Sequence, residues 1–157
     1  MKIKLLVIGK TKSKYLIEGE REFEKRLKHY CKFEEIVITD IKNGGKLSQK
    51  ELRKKEGKII LRNLMSNDYI VILDERGDNF NSVGFSEFLK SKTLNSTKSI
   101  IFIIGGAFGL SDDIYARANI RLSLSKMTFS HQMVRMIFKE QLYRAFSILK
   151  GEKYHHQ

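Results

Sequence analysis

Short, nearly unbroken apolar runs alternate along the chain with longer stretches whose apolar residues recur every three or four positions. The runs lie at residues 2–8, 33–39, 69–73, 100–104 and 120–124, and they are rich in Ile, Val, Leu and Phe. The continuous run at 69–73 is typical of a strand covered on both faces, and 33–39 has the aromatic and β-branched residues that strands favour. Between them the spacing predicts helices over 13–30, 48–65, 82–89, from 111 onward, and 130–149. In the first, Leu16, Phe23, Leu27 and Tyr30 share one face. Ser13, Ser48 and Ser130 are placed to cap their helices, and Glu51, three residues after Ser48, completes a capping box. Asp112 and Asp113 fall in a first turn, where the helix dipole favours acid. Residues 42–46 read as a loop, 74–79 as a turn and 151–157 as a tail.

Strand and helix in alternation imply an α/β fold with a largely parallel sheet flanked by helices. At 157 residues the chain fits one domain, 1–157, large enough to bury a core without disulfides or metal. The last helix carries a stripe of Val134, Phe138, Leu142, Ala145 and Leu149. Met133, Met136, Ile137, Tyr143 and Phe146 add apolar surface beside it. A helix apolar on so many sides is buried centrally or shared with a second subunit.

Charge changes the picture. The chain has 30 Lys and Arg against 18 Asp and Glu, net +12. The excess is uneven: residues 1–62 carry net +9, 63–113 net −3 and 114–157 net +6. Such an excess favours a polyanionic partner, since each cation near a phosphate releases a counterion. A single cysteine, Cys31, cannot form an internal disulfide, which fits a reducing cytoplasm. No apolar run reaches the length of a membrane span.

The sequence lacks a P-loop, a dinucleotide fingerprint and a GxSxG nucleophile elbow. Its histidines, His29, His131, His155 and His156, lack metal-ligand spacing, so no metal is expected. In open parallel sheets, ligands bind beyond the carboxyl ends of strands. Three such ends stand out: Leu73-Asp74-Glu75-Arg76-Gly77, Ile104-Gly105-Gly106-Ala107-Phe108-Gly109, and Leu124-Ser125-Lys126-Met127-Thr128-Phe129. Paired glycines after a buried strand let backbone approach a ligand, although many sharp turns look the same.

The segment Ser123-Leu124-Ser125-Lys126-Met127-Thr128-Phe129-Ser130-His131-Gln132-Met133-Val134-Arg135, followed by Glu140-Gln141-Leu142-Tyr143-Arg144-Ala145 and Tyr154-His155, resembles the RlmH family of SPOUT-class methyltransferases. The likeness extends to Lys2-Ile3, Val7-Ile8-Gly9-Lys10, Val71-Ile72-Leu73-Asp74, Ile104-Gly105-Gly106 and Gly109-Leu110, and so covers nearly the whole chain. Two departures stand out. Ser130 occupies the usual place of a proline, and His155-His156 replaces a single histidine followed by a basic residue.

What the resemblance implies is specific. The fold would carry a C-terminal trefoil knot, and the chain would form a homodimer. It would use S-adenosylmethionine to methylate N3 of a pseudouridine in 23S-type large-subunit ribosomal RNA, on the assembled ribosome. Cofactor contacts would fall on Leu73, Gly105, Leu124, Ser125, Lys126, Met127, Thr128 and Phe129. His131 and Arg135 are the candidates for catalysis, with Lys126 a further cation near the base. Arg135, Tyr154 and His155 are expected to face RNA, and the first helix and last segment to bind its backbone. The alternatives are a ribosome-binding or assembly factor of the same fold without catalysis, and a small-molecule enzyme whose basic surface is incidental.

Overall fold

The computed structural model describes residues 1–155. His156, the second of the paired histidines, lies outside the described residues.

Five strands form one sheet: β1 (Lys2–Ile8), β2 (Lys32–Ile38), β3 (Tyr69–Asn79), β4 (Ser99–Ile104) and β5 (Ile120–Ser123). Their order is β2-β1-β4-β3-β5, and every pairing is parallel. The helices are α1 (Lys14–Leu27), α2 (Gln49–Arg62), α3 (Ser82–Leu94), α4 (Asp112–Arg117) and α5 (Met133–Leu149).

Strand residues point alternately to the two faces, so one sheet builds two cores. Ile3, Leu5, Val7, Val71, Ile100, Phe102 and Ile104 pack on one side, beneath Leu27 of α1, Phe85 and Leu89 of α3, and Phe138, Leu142 and Ala145 of α5. Leu6, Ile8, Ile70, Ile72, Ile101 and Ile103 pack on the other, beneath Ile60 of α2 and Ile114 of α4. The rings of Phe102 and Phe138 meet with centroids 4.6 Å apart. Burying side chains of this size stabilises by about 1.5–3 kcal/mol each, which explains the unbroken apolar stretches Leu5–Ile8, Ile70–Leu73 and Ile100–Ile104 in the middle strands.

The structure departs from the expected elements in instructive places. Residues 74–79 do not end β3 as a turn. Leu73 and Asp78 both pair with Leu122, so residues 74–77 bulge out of the ladder and the strand then resumes. Gly77 makes this return possible: a Cβ there would stand 2.6 Å from the Arg121 carbonyl carbon. Helix α3 runs to Leu94 rather than residue 89, because its polar last turn holds itself. Ser91 and Thr93 hydroxyls donate to the carbonyls of Phe88 and Leu89. Ser48 and Glu51 form the capping box in full. Ser13 occupies the N-cap of α1 by position, without a side-chain hydrogen bond. Helix α5 begins at Met133, after a turn in which Ser130 Oγ accepts from the Met133 N–H at 3.2 Å.

Helix α5 also buries two cations. Lys139 is fully buried, and its Nζ lies 2.5 Å from Glu20 Oε2, 2.6 Å from Glu24 Oε1 and 3.0 Å from Glu35 Oε1. Burial alone would lower the lysine's pKa, but the charge of Glu35 and the hydrogen bonds to Glu20 and Glu24 outweigh it and raise it. The cation shared by these three carboxylates is thus an ammonium of the chain itself.

Replacing Lys139 with Ala leaves those carboxylates facing one another in the interior. Denaturant unfolding should show a loss of about 3–5 kcal/mol; a loss below about 1 kcal/mol would mean that water replaces the ammonium without penalty. Because the lysine's folded pKa is raised, its contribution should persist through neutral pH. It should fade only as pH climbs past 10.5.

Candidate active site

The carboxyl ends of β3, β4 and β5 open into one cleft of about 820 Å³. That volume lies within the range of small-molecule and cofactor sites. Leu73, Gly105, Leu124, Ser125, Met127, Thr128 and Phe129 all line it, so residues up to 56 positions apart in sequence share one cleft. Lys126 is exposed and is not among the lining residues.

Local chemistry shapes each wall. The Gly105 loop folds back on itself, with the Gly109 N–H donating to the Gly106 carbonyl at 3.1 Å. Gly109 has φ +81°, a left-handed conformation suited to glycine. A Cβ on Gly105 would stand 3.0 Å from the Gly109 carbonyl carbon and 3.1 Å from its oxygen. The 124–129 segment is held by Ser125 Oγ, which accepts from the Met127 N–H at 2.9 Å, and by Thr128 Oγ1, which donates to Glu75 on the β3 bulge. Leu73, Leu124 and Val134 supply apolar surface, while Phe129, Met127 and Phe108 stand exposed at the rim.

Several lining residues carry chemistry that sequence reasoning did not assign. Asp74 accepts a hydrogen bond from Tyr115 Oη at 2.6 Å and another from the Arg76 N–H at 2.9 Å. Burial alone would raise the Asp74 carboxyl, but these bonds and the charges of Arg76 and Arg121 hold it below its usual value. The Tyr115 hydroxyl is pushed up to about 12 by burial and by Asp74. Arg121 lies over the Tyr115 ring at 4.9 Å, and Arg53 of α2 reaches the same cleft. Asp74 and Arg76 belong to a strand end that the sequence marks out. Tyr115 and Arg53 sit within helices and give no local signal.

His131 lines the cleft, and burial, followed by the charge of Arg135, holds its pKa below the ordinary 6.5. Its imidazole is therefore neutral near pH 7 and can accept a proton.

Arg135 does not face RNA or the reacting groups, contrary to expectation. It is 1% exposed and does not line the cleft. Its guanidinium donates to the carbonyls of Ile8 (2.5 Å), Gly9 (2.8 Å) and His131 (3.0 Å), and to Thr11 Oγ1 (3.3 Å). A guanidinium occupied in this way can neither grip RNA nor act as a base. Tyr154 and His155 do not line the cleft either. The Tyr154 ring meets Tyr143 edge-on at 4.7 Å, and its hydroxyl donates to Glu140 at 3.2 Å. Helix α1, expected to contact RNA as a basic helix, holds four cations and four glutamates, of which Glu22 pairs with Arg26 and Glu20 and Glu24 with Lys139. Burial pushes the Cys31 thiol up to about 11, so it is no nucleophile at neutral pH.

Residues 1–155 match the family model described as "Predicted SPOUT methyltransferase". The chain belongs to the SPOUT methyltransferase family. Enzymes of this family take their methyl group from S-adenosylmethionine. The chain is 50% identical to ribosomal RNA large subunit methyltransferase H of Parabacteroides distasonis, over 100% of both chains. It is also 50% identical to the protein of that name from Flavobacterium johnsoniae, again over 100% of both. Among solved structures, it resembles a probable methylase family protein from Haemophilus influenzae Rd KW20. That likeness has TM-score 0.54 at 12% identity and covers 99% of this chain and 70% of the other. It is a likeness of fold.

The cleft suits the family's donor on its own terms. It offers the glycine loop as lining, apolar walls at Leu73 and Leu124, and the ionised Asp74 carboxylate toward positive charge. Even Gly105→Ala should disturb this wall, since its Cβ meets backbone rather than a side chain that can yield. Calorimetry should show S-adenosylmethionine binding weakened roughly tenfold or more, with little change in melting temperature. Unaltered affinity would place the donor elsewhere.

Proposed function

We propose that this chain methylates N3 of a pseudouridine in 23S-type large-subunit ribosomal RNA, acting on the assembled ribosome with S-adenosylmethionine as donor. The observation that carries this reading is the convergence of three strand ends, with Leu73, Gly105 and Thr128 among their residues, on one cleft in a SPOUT methyltransferase. The names of its full-length relatives supply the class of RNA.

In this reading Leu73, Gly105, Leu124, Ser125, Met127, Thr128 and Phe129 hold the donor. Loop backbone groups bind its polar parts, and Leu73, Leu124 and Phe129 cover its apolar parts. When bound, the donor supplies an electrophilic methyl group on a sulfonium sulfur. The walls fix the acceptor nitrogen in line with that methyl, and such positioning provides most of the acceleration. N3 of pseudouridine carries a proton, and the neutral imidazole of His131 receives it as the nitrogen turns nucleophilic.

The whole chain acts as a single domain with the trefoil knot in its C-terminal part. It works as a homodimer in the cytoplasm. The exposed Phe108, Met127 and Phe129 at the rim of the cleft support a second copy seated there. Among the described residues, no helix is long and apolar enough to cross a membrane.

Mass spectrometry of ribosomal RNA from a strain lacking this protein should reveal one missing methyl group on a large-subunit pseudouridine. The purified protein with S-adenosylmethionine should restore it. Unchanged RNA, or a lesion in the small subunit, would overturn the assignment. For His131→Asn, the turnover number should fall roughly 100-fold while donor affinity is kept. The wild-type rate should climb with pH along a limb centred below 6.5, as the imidazole loses its proton. That limb should vanish in the variant, and its survival would assign the base to another group.

A further inference from the structure

Half of the chain's net charge resides in a short stretch far from the helix first expected to meet RNA. Residues 42–62 contain eight Lys and Arg against two Glu. Within α2, Lys50, Lys54, Lys58 and Arg62 recur at every fourth position, and all four are exposed. This spacing sets cations about 6 Å apart along one side of the helix over some three turns. Like charges four residues apart repel and weaken a helix. Among the described residues, none of these four is paired with a carboxylate.

The two acids of the helix do not relieve the repulsion. Glu51 is held in the capping box with Ser48. Glu56 is turned inward, where its oxygens lie 3.2 and 3.3 Å from the position a Gly106 Cβ would take. Burial, then the charge of Asp40, pushes its carboxyl up. The same inward side holds Gly57 against Ser111, so α2 is anchored beside the glycine loop of the cleft. Arg53, one turn on from Lys50 and on that inward side, lines the cleft together with Arg76 and Arg121.

We infer that the Lys50, Lys54, Lys58 and Arg62 stripe is a phosphate track that leads an RNA strand to Arg53 at the mouth of the cleft. The inference rests on the reading of the chain as a ribosomal RNA methyltransferase and names the surface that holds the substrate. Beyond the capping turn that holds Glu51, the charged residues on this side, from Lys54 to Arg62, are all cations without an ion-pair partner among the described residues. They are matched by a polyanion with regular charge spacing. The cations grip the backbone and position it, without reading sequence.

The test compares the full-length protein with the triple variant Lys54→Gln, Lys58→Gln, Arg62→Gln. A control neutralises the exposed Lys25, Lys28 and Lys32 instead. Binding to purified bacterial large ribosomal subunits is followed across a salt series. The stripe variant should bind roughly tenfold or more weakly near 0.1 M salt, and its log–log salt slope should fall by about two. Its affinity for S-adenosylmethionine should not change, which also shows that it is folded. Equal weakening in the control, or an unaltered slope, would overturn the track. Weaker binding with the slope preserved would assign the helix to a ribosomal protein instead and equally overturn it. Methyl transfer to the same subunits by the unmodified protein is measured in parallel. If that transfer is absent, the functional reading fails, whatever the stripe does.

Discussion

The site depends on two buried cations that fix α5 against the sheet. Arg135 ties the helix to the carbonyls of Ile8 and Gly9 at the end of β1. Lys139, one turn on, ties it to Glu20 and Glu24 of α1 and to Glu35 of β2. Thr11 links the two, accepting from Arg135 and donating to Glu20 at 2.7 Å. Hydrophobic packing alone lets helices slide, because one apolar residue replaces another at little loss. Buried charges do not slide: a shift of one turn, about 5.4 Å, would strand every one of them. The segment from Leu124 to His131 hangs between β5 and this fixed helix. Its place over the cleft therefore derives from contacts that lie outside the cleft.

The other wall has a different origin. The β3 ladder with β5 is interrupted and then resumed at the same partner, Leu122, which throws residues 74–77 out toward the glycine loop. Asp74 in that excursion is secured by Tyr115 from α4, and Glu75 by Thr128 from the opposite wall. Strand end, glycine loop and final crossover thus meet through side chains from three separate stretches. A five-stranded parallel sheet with carboxyl ends on one side is what brings them within reach.

The amino-acid sequence alone discloses the strands, because sheet residues buried on both faces leave unbroken apolar runs, as in Ile100-Ile101-Phe102-Ile103-Ile104. It discloses most of the cleft residues too, because glycines and small polar residues gather where strands end. Arg135 and Lys139 are a different matter. Apart from the His131 carbonyl, their partners lie 104 to 127 residues away, and a cation four residues from another on a helix looks like a solvated pair. Burial of a charge is decided by tertiary partners, and nothing local marks it. The bulge in β3 resembles a turn in sequence because Asp, Gly and Asn mark both, and only the register with β5 distinguishes them. Arg53 is hidden in the same way, in a helix whose charge pattern says nothing about which member faces a pocket.

Gly77 has a consequence for how this surface can change. Backbone of the neighbouring strand occupies the space of any side chain there, so the residue is fixed by the sheet. Glu75 and Arg76, two and one positions earlier, are exposed and touch no part of the β ladder. A substitution at Arg76 therefore alters what the mouth of the cleft offers a visitor while the ladder beneath stays as it was, whereas one at Glu75 also releases Thr128. Recognition and architecture are separated here by a single residue without a side chain.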